Sequence, residues 1–312
     1  MIQISVIICT YNRANMIVRV LESLKKQTLN RDLYEVIVVD NASTDATLEV
    51  VENFQASHRD CNIILVREDI LGLGHARNTG LRYASGAYVA FIDDDAKASA
   101  DWLETALRCF EEVEPSPIGI GGPILPFYEL PKPKWFKDEY EIRTWGKQSR
   151  FLKKGESFSG SNMFFRKEIF EMYEGFDVRV GVKGEYLSVG EETALFEKIW
   201  ELKDDAVFFY SPQLLVFHAV PNYKMTVSYQ LKRAFATGQA WYLRHGPKSC
   251  RRRWGLVAKT FVRIAKIGAS ALLHKRKYFF YQNWLTEEFA PIAVEVGRLA
   301  CCLRLSILVK QR

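Results

Sequence analysis

The sequence predicts an α/β fold: a mostly parallel central sheet flanked by helices, followed by a helical, basic C-terminal extension. Three observations predict it. Short β-branched apolar runs alternate with amphipathic helical patterns as far as Gly122. The connections between them are short. An acidic triplet, Asp93-Asp94-Asp95, closes one of the apolar runs, at the strand end where open α/β sheets place their ligand sites.

Taken in order, Ile4–Cys9 is a continuous apolar run, the pattern of a strand buried on both faces. A helical pattern through Met16, Val20, Leu21 and Leu24 ends near Gln27, and Glu35–Val39 is the second strand. Asp40-Asn41-Ala42-Ser43-Thr44-Asp45 supplies turn and N-cap residues for a helix carrying Leu48, Val51 and Phe54. Asn62–Val66 reads as strand, Gly74–Ala84 as helix, Tyr88–Ile92 as a strand running into the triplet, Trp102–Val113 as helix and Ile118–Gly122 as strand. Pro123, Pro126, Pro131 and Pro133 then punctuate an aromatic-rich, irregular stretch reaching Phe151, long enough for a substrate lid or cleft wall. Order resumes with Phe158–Arg166 (strand), Lys167–Tyr173 and Thr193–Leu202 (helices), then Ala206–Tyr210 and Leu214–Phe217 (strands); beyond Tyr223 the chain reads mainly as helix.

Composition narrows the function. With 48% hydrophobic residues, 13% aromatics and 10 prolines the chain is neither disordered nor fibrous. Its six cysteines show no CxxC spacing, so neither a zinc site nor a disulfide framework is expected. Met1–Cys9 has no basic n-region or cleavage signature, and no stretch approaches the length of a membrane span; a cytoplasmic protein is expected. The net charge of +6 is uneven: from Gly246 to Arg312 fourteen Lys or Arg face three Glu, +11, leaving −5 for the other residues. An acidic body with a basic tail argues for an enzyme with an attachment segment and against a nucleic-acid partner.

The chemistry gathers at the strand ends. In extended chain Asp93 and Asp95 share one face and Asp94 points to the other. Three adjacent carboxylates repel unless a cation or donors compensate, and hard oxygen ligands select Mg²⁺ or Mn²⁺, ions suited to a phosphate-bearing substrate. Thr10-Tyr11-Asn12-Arg13 follows the first strand, Asp40 ends the second, and Ala76-Arg77-Asn78-Thr79-Gly80 lies in the helix before the fourth. Together these offer an aromatic face, a carboxylate for base or ribose donors, and cations for a diphosphate. Gly72-Leu73-Gly74 resembles a dinucleotide loop, but Arg77 stands where its third glycine belongs and the segment follows the third strand, so that site is rejected.

The ordered set TYNR, VVDNASTD, ARNTG, FIDDD, GSNMFFRKEIFEMYEGFD and GEET resembles the family 2 glycosyltransferases of GT-A fold, over about residues 1–220. The resemblance implies an enzyme of the hexosyltransferase type that uses a nucleotide-diphosphate sugar donor and Mn²⁺ or Mg²⁺, inverting the anomeric carbon. It divides residues 1–222 into a nucleotide-binding half, about 1–122, and an acceptor half, about 123–222, with 223–312 as the helical basic region. By position, Thr10, Tyr11 and Arg13 would line the nucleotide pocket, Asp40 would bond the base, Arg77, Asp93 and Asp94 would face the donor, and Asp95 would hold the metal. Gly160, Ser161 and Asn162 would form part of the acceptor wall. The family's usual Glu-Asp pair is Glu191-Glu192 here; Glu192 takes the role of base, reaching about one bond length farther, with Glu191 in reserve. His218 is a further candidate for the metal, and Lys232 and Arg233 for the diphosphate. The stretch HAVPNYKMTVSYQLKRAFATGQAW resembles a bacterial, largely cyanobacterial, subgroup tied to exported polysaccharide, which implies a saccharide or lipid-linked acceptor. A sugar-1-phosphate nucleotidyltransferase and a catalytically silent sugar-nucleotide binding module are the alternatives; TYNRAN lacks the glycines of the first, and intact Asp93, Asp95 and Glu192 speak against the second.

In the tail, a helix from Gly255 to Leu273 places Lys259, Arg263 and Lys266 opposite Val257, Phe261, Ile264 and Leu272. With the apolar stretch Pro291–Val309 it forms a basic amphipathic pair, suited either to an anionic inner membrane surface, which would make the protein peripheral there, or to packing on the catalytic domain.

Overall fold

The computed structural model describes residues 1–178, 186–187, 189–247, 250–305 and 307–310, and leaves the side chains of residues 250–253 undescribed. In chain order the elements are β1 (Ile4–Thr10), α1 (Ile17–Lys25), β2 (Tyr34–Asp40), α2 (Thr47–Ser57), β3 (Ile63–Arg67), α3 (Leu73–Tyr83), β4 (Tyr88–Phe91), β5 (Ala96–Ala98), α4 (Trp102–Glu112), β6 (Gly119–Gly121) and β7 (Ile124–Phe127). They continue with β8 (Arg150–Phe151), β9 (Met163–Arg166), α5 (Glu168–Tyr173), α6 (Glu191–Leu202), β10 (Phe208–Tyr210), β11 (Val216–Ala219), α7 (Val227–His245), α8 (Cys250–His274) and α9 (Tyr281–Cys302).

The chain divides into two compact units: Met1–Phe127 with Asp138–Arg179 and Glu191–Ala219, and Tyr128–Lys137 with Val180–Gly190 and Val220–Arg312. The first holds an eight-stranded sheet ordered β3-β2-β1-β4-β9-β6-β10-β8. Strands β3, β2, β1 and β4 are parallel, as the helix-separated runs predict. β9 runs antiparallel to both β4 and β6, so the parallel order is broken at the centre of the sheet. Side-chain alternation builds a core on each face. Ile4, Val6 and Ile8 of β1 join Val36 and Val38 of β2 under α1, α2 and α4. Ile7, Ile37 and Val39 turn the other way, to Phe91, Phe165 and Phe196. Helix α1 buries Ile17, Val20, Leu21 and Leu24, one stripe at helical spacing.

Three sequence expectations are corrected. The stretch after Pro123 is not irregular throughout: Ile124–Phe127 is an edge strand of a second sheet, ordered β5-β11-β7, and an edge tolerates Pro126, which lacks an N–H. The strand expected from Phe158 begins only at Met163, because Ser159–Asn162 form a turn closed by Asn162 N–H donating to Ser159 O at 3.0 Å. The strand expected to end at Phe217 runs to Ala219, which puts His218 inside β11.

Asn162 locks this layout. It is fully buried; its Nδ2 donates to Pro123 O at 2.9 Å and Leu214 O at 2.7 Å, and its Oδ1 accepts from Trp102 Nε1 at 2.9 Å. One side chain thus ties the turn before β9 to α4 and to the chain entering β7 and approaching β11. Asn162→Leu orphans the Leu214 carbonyl and the Trp102 indole N–H, while Pro123 O keeps the Val216 N–H at 3.1 Å, and should lower the unfolding free energy by about 3 kcal/mol in chemical denaturation, each orphaned group costing roughly 1–3 kcal/mol.

In the second unit α7 and α9 touch backbone to backbone. A Cβ at Gly238 would collide with Val294 O, and one at Gly297 with Phe235 O. Asn283 Nδ2 donates to Trp135 O at 2.6 Å, fastening the segment before Lys137 to α9. Among the described residues no helix is long and apolar enough to cross a membrane.

Candidate active site

The strand ends of the first unit carry loops that hold one another through side-chain amides. Asn12, at φ 53°, accepts from Thr44 N–H at 2.8 Å, and Arg13 N–H donates to Thr47 Oγ1 at 2.8 Å. Asn41 donates to Glu68 O at 3.0 Å and Ile70 O at 2.8 Å and accepts from Gly72 N–H at 2.8 Å. Between these loops Asp40 is fully buried, and neither of its carboxylate oxygens accepts a hydrogen bond among the described residues. Arg67 Nη1, half-exposed, stands 3.9 Å from Asp40 Oδ2.

The acidic triplet is not extended. Ala96 N–H donates to Asp93 O at 3.1 Å, closing a turn between β4 and β5. The turn still separates the carboxylates as alternation would. β11 pairs antiparallel with β5, setting His218 opposite Ala96, and Ala219 N–H donates to Asp95 O at 2.9 Å. His218 Nε2 therefore lies 2.9 Å from Asp95 Oδ1 and 3.4 Å from Asp93 Oδ2. Since Ala219 O can only accept, the hydrogen between it and Nδ1, 3.1 Å apart, is on the ring, and Nε2 is the ring atom turned to the carboxylates, where it would ligate a cation when unprotonated. The ligand atoms of Asp93, Asp95 and His218 all lie within 4.8 Å of one another, a donor set that fits a divalent cation. Asp94 turns to Arg13, with Nε 3.8 Å from Oδ1. Burial and the neighbouring Asp95 charge push the Asp94 carboxyl up to about 7 against the pull of Arg13; a cation held between Asp93 and Asp95 opposes that rise.

Arg77 joins the two acidic groups. Its buried guanidinium donates to Glu191 Oε1 through Nη1, to Glu192 Oε1 at 3.2 and 3.3 Å, and stands 4.0 Å from Asp93 Oδ1. Phe176 and Phe91 lie beside it, ring centroids 5.1 and 5.8 Å from Cζ. Burial would lower the guanidinium pKa, but the carboxylates of Glu191, Glu192 and Asp93 overcome this and raise it. The rest of ARNTG seats this arginine. Asn78 donates to Phe176 O at 3.0 Å and accepts from Phe176 N–H at 2.8 Å, Thr79 Oγ1 donates to Glu68 Oε2, and Gly80 presses on Ile7. At Gly160 a Cβ would overlap the Glu192 carboxylate and the Arg77 guanidinium, which is why that position has none.

Residues 5–173 match Glycosyl transferase family 2, more than half of the chain. The chain belongs to this family. It is a glycosyltransferase, and the nucleotidyltransferase and silent binding-module alternatives fall. It is similar to the glucosyl-dolichyl phosphate glucuronosyltransferase of Haloferax volcanii, 26% identical over 244 residues, 76% of this chain and 75% of that one. Among solved structures it resembles the mannosyltransferase PcManGT from Pyrobaculum calidifontis in complex with GDP-Man and Mn²⁺, with a TM-score of 0.65 at 24% identity, covering 95% of this chain and 87% of that one. It also resembles Staphylococcus aureus TarS 1-349 in complex with UDP-GlcNAc, with a TM-score of 0.57 at 16% identity, covering 96% of this chain and 90% of that one. These likenesses establish the GT-A glycosyltransferase architecture.

Within that architecture the structure gathers Asp93, Asp95 and His218 at one point and sets Glu191 and Glu192 on Arg77 beside it. Arg77, expected to face the donor, spends its guanidinium on the two glutamates and is only 3% exposed. Ser161 Oγ accepts from Asp93 N–H at 3.2 Å, Gly160 backs Glu192, and Asn162 points into the core. Thr10 is buried at the end of β1 and Tyr11 is half-buried beyond it. Lys232 and Arg233 lie on α7 in the second unit, where Arg233 Nη2 donates to Gln230 Oε1 at 2.9 Å. Sequence reading missed the coupling of Arg77 to Glu191 and Glu192, 114 and 115 residues apart, for which no local pattern exists. Arg77→Gln leaves Glu191 buried without its counter-charge and should cost about 3–5 kcal/mol in denaturant unfolding. Arg77→Lys keeps the charge without the planar fork and should fall between.

Proposed function

We propose that this glycosyltransferase inverts the anomeric carbon of a nucleoside-diphosphate sugar, with Glu192 as general base and a divalent cation at Asp93, Asp95 and His218, and extends a saccharide or lipid-linked acceptor in polysaccharide assembly. One observation carries the reading: a single guanidinium, Arg77, reaches both Asp93 of the cation group and Glu192, so cation site and base share one location. Exposure chooses between the glutamates. The Glu191 side chain is 3% exposed and the Glu192 side chain 22%, so only Glu192 is open to an incoming hydroxyl.

The chain's own groups divide the work. Asp40 offers two buried acceptor oxygens to the N–H donors of a nucleobase, whose binding relieves their missing hydrogen bonds. Thr10, Tyr11 and Arg13 complete that side, and Asp93 and Asp94 face ribose and sugar. Glu192, steadied by Arg77, takes the acceptor hydroxyl proton as the hydroxyl oxygen attacks the anomeric carbon from the face opposite the departing diphosphate. Gly160 and Ser161 back the acceptor side. A bound cation supplies charge stabilisation to the diphosphate leaving group. The mixed carboxylate and imidazole set favours Mn²⁺ over Mg²⁺, since imidazole suits the softer ion. A donor of the GDP or UDP type agrees with the ligands of the two solved neighbours, and a lipid-linked acceptor with the name of the Haloferax relative.

Glu192→Gln should reduce transfer by at least about 10²-fold while leaving the donor dissociation constant within about twofold; full turnover by this variant removes Glu192 from the role. Asp95→Asn and His218→Ala should each weaken Mn²⁺ binding, measured by calorimetry, by about 100-fold or more. Unchanged affinity in both variants would move the cation elsewhere.

A further inference from the structure

Helix α8 turns its apolar residues outward. Its buried positions, Thr260 and Ala271, lie on one line facing α9, where Thr260 Oγ1 and Arg263 Nη1 each stand 3.5 Å from Glu295 and Trp284 Nε1 donates to Ala271 O at 2.8 Å. On the far side Trp254, Phe261, Val262, Leu272 and Leu273 are 64, 57, 55, 69 and 81% exposed. At about 100° per residue, Trp254, Phe261 and Leu272 fall within roughly 20° of one line some 27 Å long. Ala258, Ala265 and Ala269, all exposed, fill the gaps between them. Of the two settings the sequence leaves open for this helix, a membrane surface or packing on the catalytic domain, the exposure of Phe261 and Leu272 favours the first. Just past the helix, Phe279 and Tyr281 are 93 and 65% exposed.

The charge carried by the segment itself is of one sign, the acids near it being Glu288 and Glu295 of α9, which pair with His274 and Arg263. Between Cys250 and Thr286 there are nine Lys or Arg and no Asp or Glu. Lys259 and Lys266 stand beyond Val262 and Leu273, about 120–140° round the helix from the Trp254–Phe261–Leu272 line, so they edge the exposed apolar face on one side, and Lys275, Arg276 and Lys277 follow its end, all exposed. A convex stripe one helix wide, edged by cations on one side and aromatic at its start, has the form of an interfacial helix. A second copy meeting this one through the same face would set the like charges of Lys259 and Lys266 against each other.

We propose that α8 docks the protein on an anionic membrane surface, with Trp254, Phe261, Leu272 and Leu273 entering the boundary between headgroups and acyl chains and Lys259 and Lys266 resting at the lipid phosphates. The surface contains none of the residues assigned to donor, cation or base and does not depend on the role of Glu192; Glu192→Gln should bind lipid normally.

Full-length protein is floated with vesicles of phosphatidylcholine alone and of phosphatidylcholine with phosphatidylglycerol. Binding should be at least about tenfold tighter to the anionic vesicles and weaken as salt rises. The double variant Phe261→Ser/Leu272→Ser should lose binding with its thermal unfolding unchanged, both residues being exposed. Each of Lys259→Glu and Lys266→Glu should weaken it by about fivefold or more, one surface cation contributing roughly 1 kcal/mol. Failure to float at low salt, equal binding to both vesicles, or full binding by the double serine variant would overturn the proposal. So would a concentration-dependent dimer that the serine substitutions dissociate, which would assign the stripe to a second copy.

Discussion

A guanidinium removed from water persists only where carboxylates surround it, and Arg77 gathers three: Glu191, Glu192 and Asp93. Because Arg77 is on α3, the glutamates open α6, and Asp93 follows β4, this one requirement fixes three elements against each other. It also explains why two glutamates stand where repulsion alone would part them. Glu191 neutralises the buried charge, and Glu192, more open, is held in place without being enclosed. Glycine at 160 is the steric consequence, since any side chain there would enter the contact.

The cation group depends on a different constraint, the pairing of β11 with β5. Neither strand is long, yet their register sets His218 opposite Ala96 and thereby beside Asp95. Asn162 secures the same region from the core side by tying the chain before β7, the chain approaching β11, and α4 to the turn before β9. A residue expected in the acceptor wall acts by fixing the backbone on which Gly160 and Ser161 sit.

The second unit shows how amphipathicity leaves direction open. Spacing identified α8 as a helix with apolar and basic positions, but which face meets a neighbour is decided by the neighbour. α9 offers Glu295 and Trp284, so α8 packs through Thr260 and Ala271, and the larger apolar residues are left on the surface.

Local pattern was sufficient for what is local. The buried runs of β1 and β2, the stripe of α1, the position of Asp93–Asp95 after β4 and the acids opening α6 were all legible, because period-two and helical spacing are written in consecutive residues. The family resemblance, carried by motifs in order, makes Asp95, His218 and Glu192 candidates, and the fold sets Asp95 and His218 side by side. Contacts between distant segments were not legible. The antiparallel insertion of β9, the edge strand containing Pro126, the inward turn of Asn162, the capture of Arg77 by residues 114 and 115 positions away, and the outward face of α8 each depend on which surfaces the folded chain brings together. Neighbouring residues carry no record of those meetings, so tertiary structure alone decided them.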